Sequence, residues 1–199
     1  MTTRIQREFT FQAGVYYEGR FMMNIYDFSL CMSVSTDSIR EQNIAMDRIS
    51  YYLIECLENG IFVQDTEKKV IEKYISAGFN VCTLPAEPYD QIITVMLLIK
   101  LNAITDGRFE ITDISLGSKL SEGVSHIYDT ESSLGPFSIE GWWNSSLATI
   151  SDSVKQNKKD KIVQLFKSAT PDWAEAGLAW KEKDITLIPD KEISFVPEK

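Results

Sequence analysis

From Tyr26 to Ser35 the chain alternates without a break. Tyr26, Phe28, Leu30, Met32 and Val34 are apolar, while Asp27, Ser29, Cys31, Ser33 and Ser35 between them are small or polar. Successive side chains of a strand point to opposite faces, so this run buries one side and wets the other. Phe9, Phe11, Ala13 and Val15 alternate in the same way, and Tyr17-Glu18-Gly19-Arg20 between the two runs reads as a turn. The pattern predicts a long N-terminal hairpin whose apolar face the rest of the chain has to cover.

Beyond a turn at Ser35-Thr36-Asp37-Ser38 the period changes. Met46, Ile49, Leu53, Cys56 and Leu57 recur at helical spacing as far as the stop signal Asn59-Gly60. Asp65-Thr66 reads as the cap of a second helix carrying Val70, Ile71, Tyr74 and Ile75, closed by Gly78. Phe79 to Thr83 is a short β-like run, and Leu84-Pro85-Ala86-Glu87-Pro88 interrupts regular structure. A third helix is expected over 89–102; eight of the ten residues from Ile92 to Leu101 are apolar, which predicts burial on most sides. After Thr105-Asp106-Gly107, Phe109 and Ile111 alternate, and past Asp113 the apolar positions change phase to Ile114 and Leu116, as a β-bulge would cause. Val124, His126 and Tyr128 then form the returning strand of a second hairpin.

The expected fold is α+β, with long antiparallel hairpins packed under helices. Residues 1–135 read as the core domain. Residues 136–199 read as a C-terminal extension, part helical and part extended, that packs on the core or on a neighbouring subunit. Within it fall a Lys-rich helix with Ile162, Leu165 and Phe166 on one face, and two short β-like pieces around Ile185 and Ile193 separated by Pro189. Trp142, Trp143, Trp173 and Trp180 also lie there. They could form an aromatic platform for a ligand, but anchoring of the extension is preferred because large apolar rings are costly to leave wet.

Composition narrows the function more than it identifies it. The 199 residues, 44% of them hydrophobic, suffice for a real core. The longest apolar stretch is too short to span a bilayer and the N-terminus lacks an apolar signal core, so a cytoplasmic protein with no membrane partner is expected. The net charge of −9 falls entirely on residues 1–150, which hold 11 basic and 20 acidic side chains, and all six arginines lie at or before Arg108. That balance argues against nucleic acid, whose binding is dominated by phosphate neutralisation.

Strong catalytic signatures are missing: there is no phosphate-binding glycine loop, dinucleotide fingerprint, nucleophile elbow or His-Glu-x-x-His. His126 is the single histidine. A triad with Ser118, Ser125 and Asp129 can be drawn, but alternate residues of a strand face opposite ways, and an ordinary hydrogen-bonded histidine is the simpler reading. One histidine and three cysteines 25 and 26 positions apart (Cys31, Cys56, Cys82) make no zinc pattern. Asp106, Glu110 and Asp113 do not follow a calcium-loop spacing. No metal and no cofactor are expected.

The order of elements resembles the tunnelling fold of the 6-pyruvoyl-tetrahydropterin synthase and QueD-like enzymes over about residues 5–130. In that family a helix opens with a Pro-Thr-x-Glu-Asn type motif, and Pro88-Tyr89-Asp90-Gln91 stands in its place here. The family's hairpin carries zinc histidines, including a His-Gly-His, where this chain has Asn24-Ile25-Tyr26-Asp27. The resemblance therefore implies the assembly, edge-to-edge rings with pockets between subunits, without the zinc chemistry. It places Gln91 and Asp90 as ligand-facing polar groups, although Gln91 in a first helical turn could equally satisfy free backbone amides. The resulting expectation is a homo-oligomeric binding or structural protein without metal. An enzyme acting on a purine- or pterin-like small molecule at a subunit interface is the alternative, and an acidic accessory or viral interaction protein is a third.

Overall fold

The computed structural model describes residues 3–152 and 172–181. Strands β1 (Arg4–Tyr17) and β2 (Arg20–Val34) pair antiparallel along their whole length, from Arg4 opposite Ser33 to Tyr17 opposite Arg20. Glu18 and Gly19 both take left-handed backbone conformations at the turn (φ 47° and 73°), whose twist matches that of the flanking strands. The hairpin buries the predicted row: Phe11, Ala13, Val15, Tyr26, Phe28, Leu30 and Met32 are all in the core. Its opposite face is polar, with Gln6 bonded to Ser29 and Thr10 to Asp27.

Helix α1 (Ile39–Tyr51) is capped by the Ser38 hydroxyl, which accepts from the Glu41 amide. It runs on into a π-helical turn over Tyr52–Leu57, then stops at Asn59, which is left-handed at φ 57°. Of the next unit the hydrophobic pattern foretells the helix and the strand after it, but not the strand that opens it. Strand β3 (Ile61–Gln64), helix α2 (Lys68–Ser76) and strand β4 (Val81–Leu84) make a parallel crossover. β3 joins the sheet beside the turn end of β1, at Gly14 and Val15. Ile61, Phe62 and Val63 do not alternate because both sides of β3 are covered: Phe62 enters the main core, while Ile61 and Val63 meet Ile71 and Val81 in a second cluster.

Helix α3 (Asp90–Thr105) is buried on nearly every side, as its composition requires. Strand β5 (Phe109–Ser118) pairs with β2, and the expected bulge lies at Thr112: Cys31 faces Asp113 and Met32 faces Ile111, so one residue is skipped. Strand β6 (Ser125–Asp129) completes a six-stranded sheet of order β4-β3-β1-β2-β5-β6. The protein is thus α+β, with α1 and α3 over the apolar face of the sheet. Among the described residues no helix is long and apolar enough to cross a membrane.

Phe137, Trp142, Trp143, Ala148, Ile150 and Trp173 share this core, so three of the four tryptophans are buried as anchors and Trp180 packs against their edge. Lys100, fully buried in the middle of α3, donates from Nζ to the carbonyl oxygens of Trp142, Ser145 and Leu147 at 3.1, 2.7 and 2.6 Å. That bonding explains how a charged residue fits an otherwise apolar helix. Residues 172–181 are held by Arg48, whose guanidinium lies 3.6 Å from the Trp180 ring centroid and 4.8 Å from that of Trp173. Arg48 also donates to the carbonyls of Leu178 and Ile104. Cys56 and Cys82 are buried thiols, and Cys31 is half-buried. The Lys-rich helix with Ile162, Leu165 and Phe166 and the pieces around Ile185 and Ile193 lie outside the described residues.

Candidate functional site

The turn end of the hairpin, the first turn of α3 and the β5–β6 connection border an open pocket of about 280 Å³. Pro88 ends the irregular stretch before α3, and Tyr89 stays extended (φ −71°, ψ 156°), so the helix begins at Asp90 with its first turn on the cavity. Both Asp90 and Gln91 line it, together with His126 from β6. The residues singled out in the sequence at separate places therefore meet. Two residues that sequence reasoning did not single out for binding complete the polar wall: Asn24 and Tyr26, neighbours on the buried face of β2. Val15, Met22 and Leu120 supply apolar surface.

Each polar group is held differently. The Asn24 side-chain oxygen accepts from the amides of Ile25 (2.9 Å) and Leu120 (3.2 Å), which fixes the orientation of the amide and leaves its NH2 as the donor end. An Asp90 carboxylate oxygen accepts from the Ser118 hydroxyl at 2.6 Å, a length typical of a charge-assisted bond. The Tyr26 hydroxyl is fully buried; it makes no hydrogen bond of good geometry among the described residues, and the Asn24 side chain is the hydrogen-bonding group beside it. Burial pushes its titration far above the usual phenol range; the nearby Asn24 side chain opposes this and the Asp90 carboxylate adds to it. Gln91 is exposed and makes no hydrogen bond among the described residues, and no side chain caps α3. The capping role therefore has no bond to support it.

The rim is aromatic and acidic. The rings of Tyr17 and Tyr89 lie 5.0 Å apart with a 60° tilt, and their hydroxyls meet at 2.9 Å. Tyr89 also bonds Glu87 (2.8 Å), and Tyr17 donates to Glu18 (2.9 Å). The bonds to Tyr17 and Glu87 raise the Tyr89 phenol above its ordinary range.

No triad is assembled around His126. Ser118 is committed to Asp90, Ser125 is exposed, and Asp129 accepts from Ser132, a bond that lowers its carboxyl. Among the described residues no three His, Cys, Asp or Glu side chains are grouped to hold a metal ion. The signal that could have revealed Asn24 is its position. It occupies an apolar slot of the alternation between Met22 and Tyr26, where a polar side chain needs a reason to be buried.

No protein-family model matches the chain, and no curated protein matches it in sequence. Solved structures do match in fold. One is an uncharacterized protein of Wolinella succinogenes, 8% identical with a TM-score of 0.47, covering 66% of this chain and 99% of that one. Two others are catalytic-residue mutants of Plasmodium vivax 6-pyruvoyltetrahydropterin synthase, each 10% identical with a TM-score of 0.43, covering 64% of this chain and 97% of theirs.

Proposed function

We propose that the protein is a small-molecule binding module whose cavity takes the edge of a planar, purine- or pterin-like ring. One observation carries the reading: the amide of Asn24, its oxygen fixed by the Ile25 and Leu120 amides, and the carboxylate of Asp90 line one pocket from two different elements. A donor beside an acceptor suits a lactam edge, where a ring carbonyl adjoins a ring N–H. The Tyr17 and Tyr89 rings at the rim offer apolar faces to the ring's outer part.

The experiment is calorimetric titration of the full chain with guanine-type and pterin-type compounds. Asp90→Asn is expected to weaken binding by about ten- to a hundredfold, the loss of a charge-assisted bond. Gln91→Ala, at the open side, is expected to weaken it by about tenfold, or ~1–1.5 kcal/mol, with an unchanged melting temperature. Absence of binding by any such compound, or a Gln91→Ala variant that loses stability and no affinity, would overturn the reading.

A second reading, an enzyme on the same site, is favoured by His126, because a lone imidazole on the lining could exchange a proton with the bound ring. Turnover of a bound compound that His126→Gln abolishes without changing its affinity separates catalysis from binding. Self-association belongs to the same proposal. Among the described residues no strand pairs with the outer edge of β1 ahead of Gln12, whose own amide and carbonyl are taken by Glu58 and Asn59, and the edge before it offers backbone donors and acceptors to a second copy.

A further inference from the structure

We infer that the ring taken by this cavity carries no phosphate: its ligand class is a free base or nucleoside, neutral or cationic, and not a nucleotide. The inference rests on the ring-binding reading above and adds the charge of what binds. Of the residues lining the cavity, Asp90 is the one with a formal charge, and it sits inside. The rim adds two more carboxylates, Glu87 and Glu18, each tied to a tyrosine hydroxyl at the opening. Among the described residues the lining includes no lysine and no arginine. Arg20, at the hairpin turn, and Lys119, beside Leu120, are exposed and stand outside it.

The fixed Asn24 amide and the Asp90 carboxylate are the held polar groups of the lining, so the ring's polar edge points toward them. Any substituent on the opposite side of the ring then points out, between Glu18 and Glu87. A phosphate there meets like charges with no basic side chain of the lining to offset them, and like charges at this range repel. The first turn of α3 would otherwise welcome an anion through its free amides, but Asp90 already places a negative charge on that turn. An amino or otherwise cationic substituent meets the reverse situation and is attracted. The body's own charge, 11 basic against 20 acidic residues over 1–150, acts in the same direction at longer range.

The test titrates the full chain with guanosine and with guanosine monophosphate at low and high salt, in the wild type and in a Glu18→Gln, Glu87→Gln double variant. At about 50 mM salt the nucleoside is expected to bind about tenfold or more tighter than the monophosphate, and the gap is expected to shrink at about 500 mM, where such repulsion is screened. The double variant is expected to shrink it at low salt. A monophosphate that binds as tightly as the nucleoside, or tighter, would overturn the inference while leaving the ring-binding reading intact. A gap that neither salt nor the variant changes would make the discrimination steric and overturn it too. If neither these compounds nor the unphosphorylated pterins bind, both the inference and the reading beneath it fall.

Discussion

Tyr26 and Tyr52 are both fully buried, and neither hydroxyl has a hydrogen-bond partner among the described residues. Burying an unpaired hydroxyl costs about 1–3 kcal/mol, so the native fold keeps these two groups against their preference. Tyr26 borders the cavity; Tyr52 is not part of its lining and lies beneath the Lys100 amine, 5.8 Å from ring centroid to Nζ. The two substitutions Tyr26→Phe and Tyr52→Phe therefore make a controlled pair. Both are expected to hold or raise stability, by up to about 1 kcal/mol in urea denaturation, because each removes a polar group that forms no bond. Only Tyr26→Phe, at a residue that lines the pocket, is expected to alter affinity for a ring ligand. A drop in stability for Tyr26→Phe alone would mean that its hydroxyl is already satisfied by the Asn24 side chain beside it.

At the scale of elements, residues 172–181 behave like a peptide docked on a folded body. Arg48 lies over both tryptophan rings and bonds the Leu178 carbonyl, Arg40 donates to the Trp180 carbonyl, and the Trp180 indole donates to Asp106 at 3.0 Å. Burial pulls the Arg48 guanidinium down to about 10, with Asp106 opposing, so it is charged at neutral pH. Arg48→Lys keeps the charge but loses the plane that stacks and the fork that bonds two carbonyls at once. This variant is expected to cost about 1–3 kcal/mol, to shift tryptophan emission to the red and to open the segment to protease. Unchanged emission and proteolysis would show that the rings, rather than the guanidinium, hold the segment.

Elements also show where sequence and structure part. The hairpin and the bulge near Asp113 could be read because one side is wet and the period of two shows; the third helix could be read from the length of its apolar run after the break at Pro88. β3 could not: with Phe62 in one cluster and Ile61 and Val63 in another, neither face is wet and the two-residue period disappears. Asp90 and Gln91 could be placed at a helix start from Pro88. Tyr26 looked like any core-facing strand position, and the polar Asn24 in an apolar slot was the one signal there, since only the approach of α3 and the β5–β6 connection turns that part of the core into a pocket wall.

For the whole molecule, two outcomes are expected. Burial raises Cys56 to about 12 and pushes Cys82, Tyr52 and Tyr26 upward as well. Each of these groups holds its proton more firmly folded than unfolded, so its contribution is fully present below the unfolded value. It is lost as pH rises past about 9 for the thiols and about 10 for the phenols. The urea midpoint is therefore expected to fall steadily above pH 9, and less steeply in Cys56→Ala; a flat profile to pH 11 would contradict the burial of these groups. The second outcome concerns assembly. With the outer edge of β1 unpaired by any described strand ahead of Gln12, native mass spectrometry is expected to find species larger than the 22.7 kDa chain. A monomer alone at working concentration would remove self-association.

The pairing of β2 also sets a timetable. Its first neighbour, β1, arrives within a tight turn, but its second, β5, comes only after α1, the parallel crossover and α3 have been made, with Phe109 opposite Val34 and Ser118 opposite Tyr26. A chain emerging from the ribosome thus completes its hairpin early and carries Phe11, Phe28, Leu30 and Met32 uncovered while most of the core is still unsynthesised. Through that interval the polar opposite face, with its Gln6–Ser29 and Thr10–Asp27 pairs, keeps one side of the ribbon wettable. A nascent chain stalled before Phe109 lacks the strand that closes this side of the sheet, and chaperone dependence should be greatest there.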